Sequence, residues 1–147
     1  MKKLALGIAA LVLVSAQAQG PDNQKDVVKR TVKITGKVVG FEMGDYTYVQ
    51  IRNTKGDEAS YFVGGKPGLD WFLAAHANKT ATFTVQFVSS VIPEAGGRID
   101  IERVSDAKVG KVTFASWMKA ERKKMTMEQM EKKYWPMIEK LLPKEGQ

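Results

Sequence analysis

The chain has no cysteine and one histidine. Without cysteine there is no disulfide to exploit an oxidising compartment and no acceptor for lipid attachment, so stability must come from the core alone. The single histidine, His76, has no cysteine partner and no serine or aspartate at the spacing of a catalytic triad. It ends an apolar helical stripe and reads as a packed or capping residue. Long hydrophobic runs are also missing. The longest, Leu4 to Val14, falls short of the ~20 apolar residues that span a bilayer. Gly64-Gly65-Lys66 is too short for a phosphate loop and does not open into a helix with Lys-Ser/Thr. The adjacent carboxylates Asp57 and Glu58 fall in a hairpin loop, where solvation accounts for them. No catalytic constellation emerges, and the chain reads as a non-enzyme.

What is present begins with an export signal. Lys2 and Lys3 precede the apolar run, and Ala16-Gln17-Ala18 is a small-x-small cleavage site. Residues 1–18 are expected to be a signal peptide, with cleavage after Ala18 and a periplasmic or secreted product without a stable membrane span. Residues 19–26 are polar and read as a flexible lead-in. The formal net charge is +7, but its distribution is uneven. Gln19 to Gly110 holds 12 basic and 11 acidic residues, whereas Lys111 to the C-terminus holds 9 and 5.

Alternation then dominates. Val32, Ile34 and Val38 alternate with Lys33, Thr35 and Lys37 in a first strand, and Gly36 and Gly40 mark a bulge or sharp coil within it. After a turn at Met43-Gly44-Asp45, a second strand spans Tyr46 to Arg52. Thr47, Val49 and Ile51 take its core face, and Tyr46, Tyr48, Gln50 and Arg52 the other. A hairpin loop at 53–57 leads to a third strand, Glu58 to Val63. Leu69, Phe72, Leu73 and His76 predict a short helix over 69–77, ended by Asn78 in a left-handed conformation. A fourth strand, Thr80 to Ser89, points Ala81, Phe83, Val85 and Phe87 inward. A fifth, Arg98 to Val104, points Ile99 and Ile101 inward.

The β-β-β-α-β-β order and the Thr-Gly-Lys-Val-Val run at Thr35 to Val39 resemble the small exported bacterial OB-fold proteins, of the periplasmic tRNA-anti-like kind. The resemblance implies a mainly β fold over residues 27–109: a five-stranded OB-type barrel with a helix between strands three and four. Residues 111–147 form a C-terminal helical extension. One helix is expected over Ala115 to Met125. A second begins at the Thr126-x-x-Gln129 capping box. Its amphipathic stripe is Met127, Met130, Tyr134, Met137 and Leu141, and Pro136 is expected to kink or restart it.

OB barrels hold oligosaccharides or oligonucleotides on strands two and three and on the loops one–two and four–five. That resemblance implies candidate ligand-binding residues at Phe41, Met43, Tyr46, Tyr48, Arg52, Lys55, Val91, Ile92 and Arg98. Tyr46, Tyr48 and Arg52 form the most suggestive group, since rings and a guanidinium on one face stack bases or sugars. The nearly neutral barrel disfavours nucleic acid, whose binding needs a basic groove. The alternative is that the apolar stripe of the extension covers this face and the tyrosines pack beneath it. The methionine-rich tail raises Cu(I), because soft thioethers select it. Met125, Met127 and Met130 are the candidate ligands. Met125-Thr126-Met127 resembles the Met-x-Met of a periplasmic OB-fold copper chaperone family. That family, however, carries its pair on the barrel beside Trp and His. The bland reading is a stripe of flexible gap-filling side chains. Arg122-Lys123-Lys124, with Lys119, either touches an anionic surface or is a solvated helix face. The overall expectation is an exported binding or interaction module whose partner is an oligosaccharide or another envelope protein.

Overall fold

The computed structural model describes residues 25–144. The expected signal peptide and residues 19–24 of the lead-in lie outside the described residues. The described chain is mainly β, with one largely antiparallel six-stranded sheet and three α-helices. The strands are β1 (Val27–Met43), β2 (Thr47–Asn53), β3 (Glu58–Val63), β4 (Ala81–Ile92), β5 (Gly97–Val109) and β6 (Val112–Thr113). The helices are α1 (Leu69–Ala75), α2 (Phe114–Arg122) and α3 (Met127–Leu141). The sheet order is β3-β2-β1-β4-β5-β6, and β3 also pairs in parallel with β5 through Phe62 opposite Arg103 and Val63 opposite Val104. No helix among the described residues is long and apolar enough to cross a membrane.

The long first strand carries the bulge that its glycines suggest. Val38 pairs with Ile51 and Gly40 with Gln50, so Val39 is the extra residue. One extra residue reverses the inward–outward phase. Val38 points inward before it and Phe41 points inward after it, with no exposed surface at Phe41. Gly36 is required by close approach: a Cβ there would run into the Arg52 carbonyl across the β1–β2 ladder. The Asn53–Asp57 loop closes the next hairpin. Asn53 Oδ1 accepts from the backbone N–H groups of Lys55 (2.9 Å) and Asp57 (3.0 Å), and Gly56 takes a positive φ of 92°.

Packing divides the described residues into two compact units. The larger comprises, among described residues, 28–88 and 101–144. Its core joins Val38, Phe41, Val49 and Ile51 to Leu69, Phe72 and Leu73 of α1, to Phe83 and Val85 of β4, and to Val104 and Ala107 of β5. Phe114 of α2 and Ile138 of α3 belong to the same cluster. The C-terminal helices therefore share the sheet's core. On α2, Trp117 meets the ring of Phe72 on α1 at 5.3 Å and the ring of Tyr134 on α3 at 5.1 Å. Thr113 caps α2 in a reciprocal box with Ser116, and Thr126 caps α3 with Gln129. α2 ends at Arg122, with Lys123 as its C-cap, three residues short of the expected Met125.

Several expectations need correction. The sheet has a sixth strand, β6, where five were expected. Phe87 packs against the core but is only partly buried, with the Arg30 guanidinium 4.0 Å above its ring, and its neighbour Val88 is fully buried. Ile99 is 36 % exposed and Ile101 half-buried; β5 runs on to Val109, and its buried residues are Val104 and Ala107. In α3 the buried row is Met130, Tyr134 and Ile138, spaced four apart, and Met137 is 36 % exposed. The helix runs through Pro136, which is exposed, and does not restart there.

The smaller unit comprises, among described residues, 25–27 and 89–100. Polar contacts hold it. Ser90 Oγ donates to Asp26 Oδ1 at 2.7 Å. Arg98 donates to the Ser89 carbonyl (3.0 Å), to Ser89 Oγ (3.1 Å) and to the Lys25 carbonyl (2.9 Å). A 3-10 turn at Pro93–Ala95 precedes Gly96 and Gly97, both at positive φ.

Candidate ligand-binding surface

The β2–β3 hairpin sets its own register. The five-residue loop places Arg52 opposite Glu58, Gln50 opposite Ser60 and Tyr48 opposite Phe62. Val49 and Ile51 take the core side, so Tyr48, Gln50 and Arg52 share the outward side with Glu58, Ser60 and Phe62. Tyr48 lies 4.5 Å from Phe62 between ring centroids, and Tyr46 lies 5.7 Å from Phe62 in an edge-to-face arrangement. Pairs of this geometry add about 0.5–1.5 kcal/mol to area burial. All three rings remain half-exposed. On the inner side, burial first and the nearby Glu102 second push the Tyr61 phenol above its ordinary pKa.

The guanidinium on this face is compensated within it. Arg52 donates through Nε (2.8 Å) and Nη2 (2.6 Å) to a single oxygen of Glu58. Glu42 sits across from Tyr48 on β1 and accepts from Ser60 Oγ at 3.3 Å. At the β3–β5 edge, Arg103 stands opposite Phe62 and donates to Gln86 Oε1 at 3.0 Å. The outward face thus carries three rings flanked by guanidinium, carboxylate, amide and hydroxyl groups.

The structure sorts the expected residues. Tyr46, Tyr48 and Arg52 share this face, and Lys55 is exposed on its hairpin loop. Met43 is 44 % exposed at the end of β1. Phe41 is a core residue, because the bulge at Val39 turned it inward. Ile92 is buried and Val91 half-buried, and Arg98 is engaged within the smaller unit. Among the metal candidates, Met130 is fully buried in the helical row. Met125 and Met127 flank the Thr126 cap, half-buried. Among the described residues no group of three or more His, Asp or Glu is placed to hold a metal ion. His76 is half-buried; its Nδ1 donates to the Phe72 carbonyl at 2.8 Å, and its ring lies 4.4 Å from that of Phe72.

Sequence reasoning missed Phe62, the ring that joins the two tyrosines, and Glu58, the partner of Arg52. Both follow from the hairpin: the five-residue loop closed by Asn53 and Asp57 fixes the cross-strand partners of every β2 residue. No protein-family model, curated protein or solved structure matches the chain.

Proposed function

We propose that the protein is an exported, non-catalytic binding module of OB type that takes an oligosaccharide on the outward face of β2 and β3. Three features support the OB reading. The strands run β3-β2-β1-β4-β5, a parallel β3–β5 pair links the two ends of that series, and α1 lies between β3 and β4 in the chain. A bulged first strand that pairs with both β2 and β4 suits such closure.

The observation that carries the ligand reading is the half-exposed ring cluster of Tyr46, Tyr48 and Phe62. A row of aromatic faces beside paired polar groups suits a sugar ring, which offers an apolar C–H face and equatorial hydroxyls. Arg52 is neutralised by Glu58, and Glu42 adds negative charge nearby. Nucleic acid, whose affinity rests on neutralising phosphates, is the poorer fit. Base–aromatic stacking, worth about 1–3 kcal/mol or roughly 5- to 150-fold in affinity, sets the scale for what one such ring contributes.

A glycan array probed with the mature chain and with Tyr48→Ala/Phe62→Ala tests this. Signal on a defined glycan class that disappears in the double variant, with far-UV circular dichroism unchanged, is the expected result. Tighter binding to a poly-deoxythymidine oligonucleotide than to any glycan, or glycan signal indifferent to the two substitutions, refutes it.

A further inference from the structure

The face of α3 next to its buried row carries a second row, Met127, Glu131 and Trp135, also spaced four apart and therefore stacked along one side of the helix. This row faces Gly64–Gly68, Asp70 and Trp71 across an open cleft of about 560 Å3, with Thr47 and Val63 at its end. The sequence alone suggested no role for it.

The chemistry of the cleft is one-sided. Two indoles and a thioether supply apolar, polarisable walls, and two carboxylates supply charge. Asp70 is half-buried, and one of its oxygens accepts the Trp71 backbone N–H at 2.9 Å. Desolvation first, and then the negative charge of Glu131, push its carboxyl above the ordinary range; the backbone N–H groups of Trp71 and Asp70 act in the opposite direction. Neither Asp70 nor Glu131 has an ion-pair partner among the described residues. The one cation in the lining, Lys66, directs its Nζ to Asp106 at 3.2 Å. The cleft therefore joins aromatic faces to uncompensated negative charge. That combination attracts cations with an apolar shell, because the ring quadrupole and the carboxylates act in the same sense while the indoles displace water from alkyl groups. A strongly hydrated metal ion gains little from indole, and a neutral apolar ligand gains nothing from the carboxylates.

We propose that this cleft is a binding site for an organic ammonium ion, held between Trp71 and Trp135 and paired with Asp70 and Glu131. It is separate from the β2–β3 ring surface and does not depend on that surface's ligand.

The three tryptophans provide the assay. Trp71 and Trp135 line the cleft, whereas Trp117 packs against Phe72, Phe114 and Tyr134 and serves as an internal control. Choline is titrated into the 15N-labelled mature chain while the indole N–H resonances are followed, and 3,3-dimethylbutanol, its neutral isostere, is titrated in parallel. Saturable shifts of two indoles with choline, a still third indole, and at least about fivefold weaker binding in Glu131→Gln are expected. Glu131 is exposed, so that variant keeps its fold. Equal shifts with the neutral isostere, an affinity unchanged in Glu131→Gln, or no saturable shift of the two indoles with choline overturns the proposal.

Discussion

Removing a single hydroxyl, in Tyr134→Phe, should destabilise the protein by about 2 kcal/mol and blunt its response to acid. Glu121 is only 6 % exposed on α2, and its carboxylate accepts a hydrogen bond from the Tyr134 hydroxyl on α3. Lys124 Nζ reaches one carboxylate oxygen at 3.2 Å and Lys133 Nζ the other at 3.7 Å. A hydrogen bond to a charged group is worth about 1.5–3 kcal/mol, and a buried carboxylate stripped of its donor keeps its desolvation cost. The two lysines remain in the variant, which places the loss in the middle of that range.

The pH dependence follows from the same geometry. The Tyr134 hydrogen bond, opposed by desolvation and reinforced by Lys124 and Lys133, holds Glu121 below the ordinary glutamate pKa. A depressed folded-state pKa gives stability that is present above the unfolded value, about 4.3, and is lost as pH falls through the folded value. Tyr134 is raised, by desolvation first and then by Glu121. Its share is intact below the unfolded value of about 10 and is lost above it. Urea unfolding followed by tryptophan fluorescence at pH 7 and pH 3 reads the cost of losing the hydroxyl and the acid response of Glu121, since Trp117 lies 5.1 Å from Tyr134. The wild type should lose more stability than the variant between the two pH values. A variant within about 0.5 kcal/mol of wild type at pH 7, or with the same acid loss, would refute the reasoning, because so small a change is what an exposed site gives.

Two further outcomes test the packing. Gly36→Ala places a methyl against the Arg52 carbonyl and should lower the melting temperature by several degrees, given that about 1 kcal/mol moves a domain of this size by roughly 2–8 °C; an unchanged melting curve would mean β1 and β2 separate there without cost. A chain ending at Gly110 loses Phe114 and Ile138 from the core and bares the α1 surface they cover, so it should aggregate or lose near-UV ellipticity. A soluble, cooperatively melting truncation would show that the helices are only an appendage.

Period and turn chemistry were enough to find every element except β6 and the 3-10 turn at Pro93–Ala95. β3 spans the expected Glu58–Val63, Asn78 has a φ of 67°, and the Thr126 box caps α3 as read. Phase was harder. A strand's periodicity assigns faces only between irregularities, and the bulge at Val39 reverses everything after it. Gly36 and Gly40 announced a bulge somewhere in β1, but only the pairing with Ile51 and Gln50 fixes which residue is extra, and that residue decides whether Phe41 is core or surface. Phase also changes along β4, where Val85 and Val88 are both buried, and along β5, where Val104 and Ala107 are. Phe87 is therefore only partly buried, while Ile99, 36 % exposed, lies in the smaller unit and outside the core.

The two candidate sites differ in how far they could be read for a related reason. The ring surface is built by one hairpin, whose loop length determines the register, so its missing member Phe62 was available from local rules. The Trp71–Trp135 cleft joins residues over sixty positions apart, and nothing local says that they meet. Their meeting depends on how α3 seats on α1, which is decided by the row Met130, Tyr134 and Ile138 rather than by the stripe that runs through Met137. The two share Met130 and Tyr134, and exchanging Met137 for Ile138 shifts the centre of the buried face by only about 20°, toward the side that carries Glu131 and Trp135. The identity of the buried row on α3 therefore controls both the stability of the tail and the chemistry of the site beside it.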